Sequence, residues 1–357
     1  MWKRALLGAG LGGAIRLKYP RVTAGDYLWR TSFMADNSGD HAWDRVPIDA
    51  QSADAPLSSS AIFLVVTVPD SPQAVVTVRN TLGAIDDLVK NVAFRDLDAR
   101  LSCVVGIGSD FWDRLKLPKK PKELKPFTAI KGAAHDAPST PGDLLFHIRA
   151  ERYDFCFEFE RILLDTLGDA VNLVDEVTGF RYFDARDLLG FVDGTANPVG
   201  PDLKKSAQVS REDDPDFAGG AYIVVQKYIH NLATWKKQST EAQEAIIGRT
   251  KIDNVEIDDD AKRQKSHKSL ATITDDAGVE HDILRDNMPF GSAGAGEYGT
   301  YFIGYSGKLW VTEKMLERMF IGAPEGLYDR LLDFSEAKTG TTFFAPCRGV
   351  LEEISEG

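Results

Sequence analysis

The most distinctive segment of the sequence places one aspartate between two glycines. Residues 190–198 read Gly-Phe-Val-Asp-Gly-Thr-Ala-Asn-Pro. Glycine lets the backbone around Asp193 bend toward a ligand, which makes this carboxylate a candidate acid or base. The alternative is an ordinary turn, because Asp-Gly is a frequent turn dipeptide. Taken alone, the segment favours the turn.

A histidine and an arginine further along the chain could add to such chemistry. His267 has no second His or Cys at the spacing of a zinc site, which argues against structural zinc. A single histidine can still bind iron when a macrocycle supplies the other ligands. Arg285 carries a permanent positive charge, and the forked donors of its guanidinium group suit oxygen anions. The alternatives are a solvated loop histidine and a surface arginine paired with Asp282 or Asp286.

Length, charge and cysteine content limit the possible classes of protein. The chain has 357 residues, 43% of them apolar, and its net charge is −12. The length predicts two domains, and the acidic balance argues against nucleic acid as a partner. Three cysteines without a CxxC pair argue against a disulfide scaffold and favour a reducing compartment, which we take to be the cytoplasm. The apolar runs are too short to span a membrane.

The first 55 residues are predicted to be an N-terminal extension. Residues 1–25 are basic and contain no acidic side chain. A leader for export or organelle import therefore stays open beside an irregular extension. Residues 36–59 are rich in Asp, Ser, Ala and Pro, which predicts a linker.

The same extension contains a pattern that is typical of dinucleotide-binding proteins. Gly8, Gly10 and Gly13 match G-x-G-x-x-G, which would make the chain a nicotinamide enzyme. However, few residues precede the motif, and Pro20 would soon stop the following helix. No alternating series of strands and helices follows, so this interpretation is disfavoured.

Two similar series of strands and helices are predicted to position the candidate residues. In the first series, β-branched runs and helical spacing predict strands over 61–68, 101–107, 143–150 and 171–177, and helices over 73–91 and 155–167. This order is βαββαβ, the ferredoxin-like unit.

The pattern recurs about 160 residues later. The predicted strand over 221–225 resembles the one that starts at Ala61, and aligning Phe302 with Phe146 superimposes a second strand and helix. In this second series we predict helices over 232–247 and 312–320 and a strand over 301–305. Two near-equal offsets indicate a duplicated unit.

We therefore predict an α+β fold of two ferredoxin-like halves with antiparallel sheets, over residues 56–185 and 186–357. The second half carries a long polar insertion over 248–300, with few strand signals. Insertions of this length inside a compact domain are usually functional.

Six segments of the second half add up to a family resemblance. They are Gly190-x-x-Asp193-Gly194, the residues 247–256, the pair Ser266-His267, and the residues 285–290, 299–305 and 328–334. In this order they resemble the dye-decolorising peroxidases, and the resemblance is closest to the compact, bacterial-like (B-like) subgroup. It covers roughly residues 56–350 and leaves out the N-terminal extension.

The resemblance implies a haem peroxidase with one haem b per chain, held in the C-terminal half. It implies that His267 is the axial ligand of the haem iron. The other ring nitrogen of this histidine needs an acceptor, for which Asp329 is the first choice and Asp333 the lesser one. The further haem-binding residues that it implies are Arg249, Gly194, Thr195, Asn287 and Phe302, and Phe290 is expected to line the haem as well.

The reaction implied is the reduction of hydrogen peroxide with oxidation of dyes, phenols or other bulky reductants. Asp193 is expected to move a proton between the two peroxide oxygens, and Arg285 to stabilise the negative charge that develops as the O–O bond breaks. Bulky reductants would be oxidised at the surface through Tyr or Trp side chains. The candidates Trp235, Trp310, Tyr222 and Tyr305 stay open.

Partners and a competing function follow from the same resemblance. A homo-oligomer is expected, whereas a membrane partner and a C-terminal encapsulation tail are not. The competing function is a haem carrier, storage or haem-processing protein with incidental peroxidase activity. Such a protein would share the haem-binding residues but would not require Asp193 and Arg285.

Overall fold

The computed structural model describes residues 49–356. The glycine motif and most of the predicted extension and leader lie outside these residues. No helix in the described part is long and apolar enough to cross a membrane.

The N-terminal half closely follows its predicted βαββαβ order. Its elements are β1 (Ser60–Thr67), α1 (Pro72–Gly83), α2 (Ile85–Ala93), β2 (Ser102–Gly108), α3 (Ser109–Arg114), β3 (Ile130–Lys131), β4 (Asp136–Ala137), β5 (Leu144–Ala150), α4 (Tyr153–Leu167) and β6 (Asn172–Phe180). The two short strands β3 and β4 form a separate hairpin between β2 and β5.

The C-terminal half repeats this plan with more elements in its connections. They are α5 (Pro201–Ala207), β7 (Ala221–His230), α6 (Leu232–Trp235), α7 (Thr240–Ile247), α8 (His267–Ala271), β8 (Ile273–Thr274), β9 (Glu280–His281), β10 (Leu284–Arg285), β11 (Met288–Ser292), β12 (Glu297–Ser306), α9 (Leu309–Phe320), β13 (Ser335–Ala337), β14 (Thr341–Ala345) and α10 (Arg348–Glu356).

The two halves share one strand order, which confirms the predicted α+β fold of two ferredoxin-like halves. The first half runs β2-β5-β1-β6 and the second runs β10-β12-β7-β14. In each half the third strand lies beside the first, the second strand pairs with the outer edge of the third, and the fourth strand lies on the other side of the first. All the pairings are antiparallel, and β14 pairs with β2. The halves therefore form one continuous sheet.

Both faces of β1 are buried in this sheet, which explains its uninterrupted apolar run. Ile62 and Leu64 belong to the cluster beneath helices α1 and α4. Ala61, Phe63 and Val65 alternate with them and pack against residues of the second half. Because successive strand residues face opposite sides, a strand covered on both faces needs apolar residues throughout.

Two predicted helices are each divided in the structure. The predicted helix over 73–91 is interrupted at Ala84, which has φ −93° and ψ 1° and separates α1 from α2. The predicted helix over 232–247 is interrupted before Ser239, whose side chain accepts a hydrogen bond from Ala242 N and so starts α7 anew. The apolar spacing favours one continuous helix, but the cap at Ser239 starts a new helix at this point.

The linker prediction was wrong for the described residues after 50. Gln51 is buried, and its side chain donates to Val105 O at 2.9 Å and accepts from Val105 N at 2.7 Å. These bonds satisfy backbone groups of β2 that β14 does not reach. The insertion over 248–300 has few strand signals in its sequence, yet it contains β8, β9, β10, β11 and the start of β12.

Candidate active site

A cavity in the C-terminal half collects most of the candidate residues. It encloses about 990 Å³ of empty space, including its open mouth. The apolar lining comes from side chains such as Leu189, Phe191, Ile247, Phe302, Leu316 and Leu332. The polar groups that converge on it are Asp187, Asp193, Tyr228, His230, His267, Arg285, Asn287, Thr300, Thr312 and Ser335. An apolar cavity with a few convergent polar groups is the usual form of a cofactor site.

His267 is held at the first turn of α8 by the segment around it. The Ser266 N–H donates to Asp259 Oδ2 at 2.7 Å, and the Ser266 hydroxyl caps the helix. The approach is tight, because a Cβ atom on Gly248 would lie 2.5 Å from the Ser266 hydroxyl oxygen. Gly248 also has a φ of +92°, so only glycine fits there without strain.

The ring orientation of His267 is set by a buried carboxylate. Its Nδ1 lies 2.6 Å from Asp329 Oδ2, and Asp329 is 0% exposed. Burial alone would lower the pKa of His267. The charge and the hydrogen bond of Asp329 raise this pKa by a larger amount, so its net shift is upward. This contact requires the proton on Nδ1 to point at Asp329. Among the described residues, Nε2 of His267 has no hydrogen-bond partner.

His230 is a second histidine of the cavity, and its bonds leave no ring nitrogen free. Its Nδ1 lies 2.8 Å from Ser335 Oγ, and its Nε2 lies 2.9 Å from Thr300 Oγ1. Burial lowers the pKa of His230 to about 4, so the ring is neutral. His267 is therefore the better candidate ligand.

Asp193 lines the cavity from a loop that follows β6. Its N–H donates to Ala185 O at 2.9 Å, which fixes the loop. Its Oδ2 accepts from Asn287 Nδ2 at 3.1 Å, and its Oδ1 accepts from Gly194 N at 2.6 Å. The carboxylate is thus oriented by two donors, one of which comes from the distant Asn287.

Arg285 enters the same cavity from β10, with its backbone held by the Asp193 loop. Asn197 Nδ2 donates to Arg285 O at 2.7 Å, and Arg285 N donates to Asn197 Oδ1 at 3.0 Å. The Nε atom of Arg285 is buried and unpartnered among the described residues. An unpaired buried donor is costly, so the guanidinium is held ready for a ligand that the protein itself does not supply.

Only some of the other residues predicted to bind the haem line the cavity. Phe302 lines the cavity, and Gly194 lines an adjoining pocket together with Asp193 and Arg285. Arg249 and Thr195 do not line the cavity: Arg249 Nε donates to Asn254 Oδ1 at 2.7 Å, and Thr195 Oγ1 accepts from Asn254 Nδ2 at 2.8 Å. Their part in cofactor binding stays a prediction.

Two further expectations are corrected by the packing. Phe290 does not line the cavity but packs in the core beside Lys227, whose Nζ lies 5.6 Å from the ring centroid. Asp333 does not contact His267, because its carboxylate binds His135, Tyr328 and Arg330. The alternative pairing of Arg285 with Asp286 is also absent, since Asp286 binds the buried Arg149 at 2.8 Å.

Sequence reasoning missed three residues that shape the site. Asn197 belongs to the quoted glycine segment, but nothing in the sequence indicates that it bonds Arg285. Asp187 lines the cavity, and burial raises its pKa to about 7. Arg149 lies on β5 of the other half and holds Asp286, which stands between Arg285 and Asn287. The partners of Asn197 and Arg149 are distant along the chain, so local patterns carry no signal for these two residues.

Comparisons with known proteins agree on one family. Residues 51–181 match the family model described as "Dyp-type peroxidase, N-terminal", and residues 184–349 match the one described as "Dyp-type peroxidase, C-terminal". A dye-decolorizing peroxidase of Mycobacterium tuberculosis is 56% identical over 292 residues, which cover 82% of this chain and 86% of the relative.

Comparisons with solved structures indicate the same family. DyPB from Rhodococcus jostii RHA1 is 57% identical, with a TM-score of 0.83 over 85% of this chain and 97% of that one. A variant of that protein in complex with heme aligns with a TM-score of 0.81, over 83% of this chain and 96% of that one. The encapsulated DyP-type peroxidase from Mycobacterium smegmatis is 51% identical, with a TM-score of 0.83 over 86% of this chain and 98% of that one.

Proposed function

This chain belongs to the Dyp-type peroxidase family, and from that premise we propose how its own residues act on peroxide. The chain is a haem-dependent peroxidase, and its substrates are a peroxide and a reductant. We propose that the haem is haem b, with one per chain, and that the reductants are dyes, phenols or other bulky electron donors.

The residues of the cavity fit a haem. Nε2 of His267 has no partner among the described residues, while Nδ1 is fixed by Asp329, as in histidines that bind metals. No cluster of three or more His, Cys, Asp or Glu side chains that could hold a metal ion exists among residues 49–356. A single histidine is the donor set that a porphyrin iron needs, because the macrocycle supplies the other four ligands.

We propose that His267 binds the haem iron, that Asp193 and Arg285 act on the peroxide, and that Asn287 orients Asp193. The haem supplies the redox chemistry that peroxide reduction requires. Asp193 accepts a proton from one peroxide oxygen and returns it to the other, so that water can leave. The Arg285 guanidinium stabilises the negative charge that develops as the O–O bond lengthens.

Asn287 orients the carboxylate that moves the proton. Its Nδ2 donates to Asp193 Oδ2 at 3.1 Å, while its Oδ1 accepts from Ile303 N at 3.1 Å. The amide is thereby fixed to β12, so Asp193 is held at a rigid element of the sheet. Arg249, Gly194, Thr195 and Phe302 are proposed to contact the haem or to support residues that do.

The observation that carries the proposal is the convergence of His267, Asp193 and Arg285 on one cavity. Asp193 and Arg285 are both close enough to His267 for their charges to shift its pKa. A haem carrier would need His267 but would have no use for an unpaired guanidinium beside a fixed carboxylate. The site therefore favours turnover of peroxide over haem transport.

We predict that Arg285→Leu keeps its haem but loses the fast reaction with peroxide. Removing one charge-stabilising donor costs about 10²–10³-fold in rate. The measurement is stopped-flow absorbance after mixing with hydrogen peroxide, with haem content determined for each sample. A fast phase at the wild-type rate in Arg285→Leu would rule out the role of this residue and revive the carrier function.

The location and assembly of the protein are also proposals. Three free cysteines, of which Cys103 and Cys156 are buried, support a reducing compartment such as the cytoplasm. We propose a homo-oligomer by analogy with the family. Sedimentation of the haem-loaded protein would test this, and a single monomer species would contradict it.

A further inference from the structure

We propose that Tyr328 is the surface site at which bulky phenols are oxidised, with Asp333 accepting the phenolic proton of Tyr328. This inference rests on the peroxidase function proposed above, because the oxidising equivalent comes from peroxide. It goes further by naming the residue that exchanges electrons with reductants too large to enter the cavity.

Three of the four aromatic residues suggested by the sequence are too buried to meet a bulky reductant. Trp235 is 2% exposed, Tyr222 is 3% exposed and Tyr305 is 0% exposed. Trp310 is part-exposed, and its ring packs edge-on against that of His281, with 5.0 Å between the centroids. Tyr328 is part-exposed as well, and it differs from Trp310 in two respects that matter for electron transfer.

The first respect is a hydrogen-bonded link to His267, whereas Trp310 reaches the cavity only through apolar packing. Tyr328 is the chain neighbour of Asp329, whose Oδ2 lies 2.6 Å from Nδ1 of His267. Its own carbonyl oxygen accepts a hydrogen bond from Gln264 Nε2 at 3.0 Å, in the segment that leads to His267. One peptide unit, one carboxylate and one hydrogen bond therefore join the phenol ring to the histidine.

The second respect is a ready proton acceptor. The Tyr328 hydroxyl donates to Asp333 Oδ1 at 2.9 Å. His135 Nε2 lies 3.0 Å from the same oxygen, and Arg330 Nε donates to Asp333 Oδ2 at 2.6 Å. Although burial alone would raise the pKa of Asp333, the bonds from His135, Arg330 and Tyr328 lower it. The acceptor is therefore ionised at neutral pH.

A proton acceptor matters because an oxidised phenol must release its proton. Burial and the bond to Asp333 raise the pKa of Tyr328, so the hydroxyl keeps its proton until an electron leaves. In the step proposed, Tyr328 gives one electron to the peroxide-oxidised enzyme and its proton to Asp333. A bulky phenol then returns an electron to Tyr328, Asp333 returns the proton, and the phenol releases its own proton to water.

The cluster also has a simpler interpretation as a clamp. His135 lies in the turn between β3 and β4, and its ring packs edge-on against Tyr328 at 5.1 Å. The bonds to Asp333 could serve only to fix this hairpin to the segment around Asp329. A clamp would be weakened by a change at Tyr328, but it would not make the residue an electron donor.

The test compares Tyr328→Phe and Asp333→Asn with the control Trp310→Phe, all as haem-loaded full chains. Each enzyme oxidises a free phenol and the same phenol tethered to dextran, which cannot enter the cavity. In Tyr328→Phe and Asp333→Asn the ratio of tethered to free turnover should fall by about tenfold or more. In Trp310→Phe the ratio should stay unchanged.

A second readout does not depend on turnover. Peroxide is added to each protein without reductant but with a nitroso spin trap, and tryptic peptides are mapped by mass spectrometry. Wild type and Trp310→Phe should carry the adduct on Tyr328, and protein without haem should carry none. An adduct on another residue in wild type, or an unchanged ratio in Tyr328→Phe, would overturn the proposal. If wild type oxidised neither phenol, the peroxidase function itself would fail.

Discussion

At the scale of single residues, the site depends on polar groups that are fixed in position, one of which lacks a hydrogen-bond partner within the protein. The Asp193 carboxylate has two donors, whereas the Arg285 Nε has no partner among the described residues. Leaving a buried donor unpaired costs about 1–3 kcal/mol in folding free energy. A protein retains such a group where a ligand or a transition state supplies the missing acceptor.

A buried carboxylate of the N-terminal half, Glu160, gives a prediction about pH. It lies on α4 with its Oε1 buried and unpartnered, and burial, assisted by nearby Glu176, raises its pKa to about 7. In the unfolded chain this side chain keeps the ordinary pKa of a glutamate, about 4.5. Because the folded state holds the proton more tightly, this residue lowers stability as pH rises from about 4.5 to about 7.

We predict that Glu160→Gln is more stable than wild type at pH 8, and that this difference nearly disappears at pH 5. The expected gain at pH 8 is about 1–2 kcal/mol. Thermal unfolding of the holoenzymes at both pH values measures it. Glu158→Gln is the matched control, because Arg161 lowers the pKa of Glu158 and the residue stays ionised at both pH values. An equal difference at both pH values for Glu160→Gln would contradict the argument.

The sequence predicts the residues that react better than it predicts the residues that hold them in position. Asp193, His267 and Arg285 stand in motifs that can be recognised along the chain. The ranking of Asp329 above Asp333 as the partner of His267 agrees with the geometry. In contrast, Asn197 and Arg149 act on residues that are remote in sequence, and such pairings appear only once the sheet has formed.

At the scale of elements, the loop with Asp193 and the strand with Arg285 are joined by one side chain. Asn197 bonds both the N–H and the C=O of Arg285, as a neighbouring β-strand residue would. The loop is thereby held in a fixed register with β10, and Asp193 with it. A residue with such a positioning role affects the reaction rate, because small displacements of reacting groups slow the reaction.

We predict that Asn197→Ala loses about tenfold or more in kcat/KM for peroxide while its haem content stays unchanged. Asn197→Asp keeps the acceptor for Arg285 N but sets an oxygen against Arg285 O, so it should not restore the rate. Steady-state kinetics over peroxide concentration and the Soret absorbance per chain provide the two readouts. Wild-type kcat/KM in Asn197→Ala would show that the loop holds its position without this clamp.

The elements themselves were predictable where apolar spacing was the dominant signal. The strands β1, β2 and β5 and the helix α4 lie within two residues of their predicted bounds. The errors occur where a cap or a turn interrupts an apolar series, as at Ala84 and Ser239. In the insertion after Gly248, the strands β8, β9 and β10 have only two residues each, so they are too short to show the alternation that identifies a strand.

At the scale of the whole molecule, the two halves share a sheet and a buried ion pair. Arg149 of β5 donates to Asp286 Oδ2 at 2.8 Å and also bonds Ser52 O. His147 lies beside this pair, 2.7 Å from the Tyr305 hydroxyl and stacked on Phe63 at 4.7 Å. His147 is thus a buried histidine of the core, with an exposure of 0%. The duplicated halves therefore behave as one structural unit around the site.

We predict that Arg149→Met destabilises the protein by about 3–5 kcal/mol, because it leaves the carboxylate of Asp286 buried without a partner. Arg152→Met, which breaks exposed ion pairs with Asp96 and Asp154, should cost less than about 1 kcal/mol. Chemical denaturation of both variants measures the difference. Equal losses in the two variants would mean that the ion pair between the halves adds nothing beyond a surface contact.

Haem binding through His267 is the central claim, and a hemin titration tests it most directly. Purified chain, freed of haem, is titrated with hemin and followed by absorption and by a spectroscopic signature of histidine ligation. The account predicts saturation at one haem per chain with histidine ligation in wild type and in His230→Ala, and weak or altered binding in His267→Ala. A folded wild-type chain that stays colourless, or a His267→Ala variant with an unchanged spectrum, would contradict it.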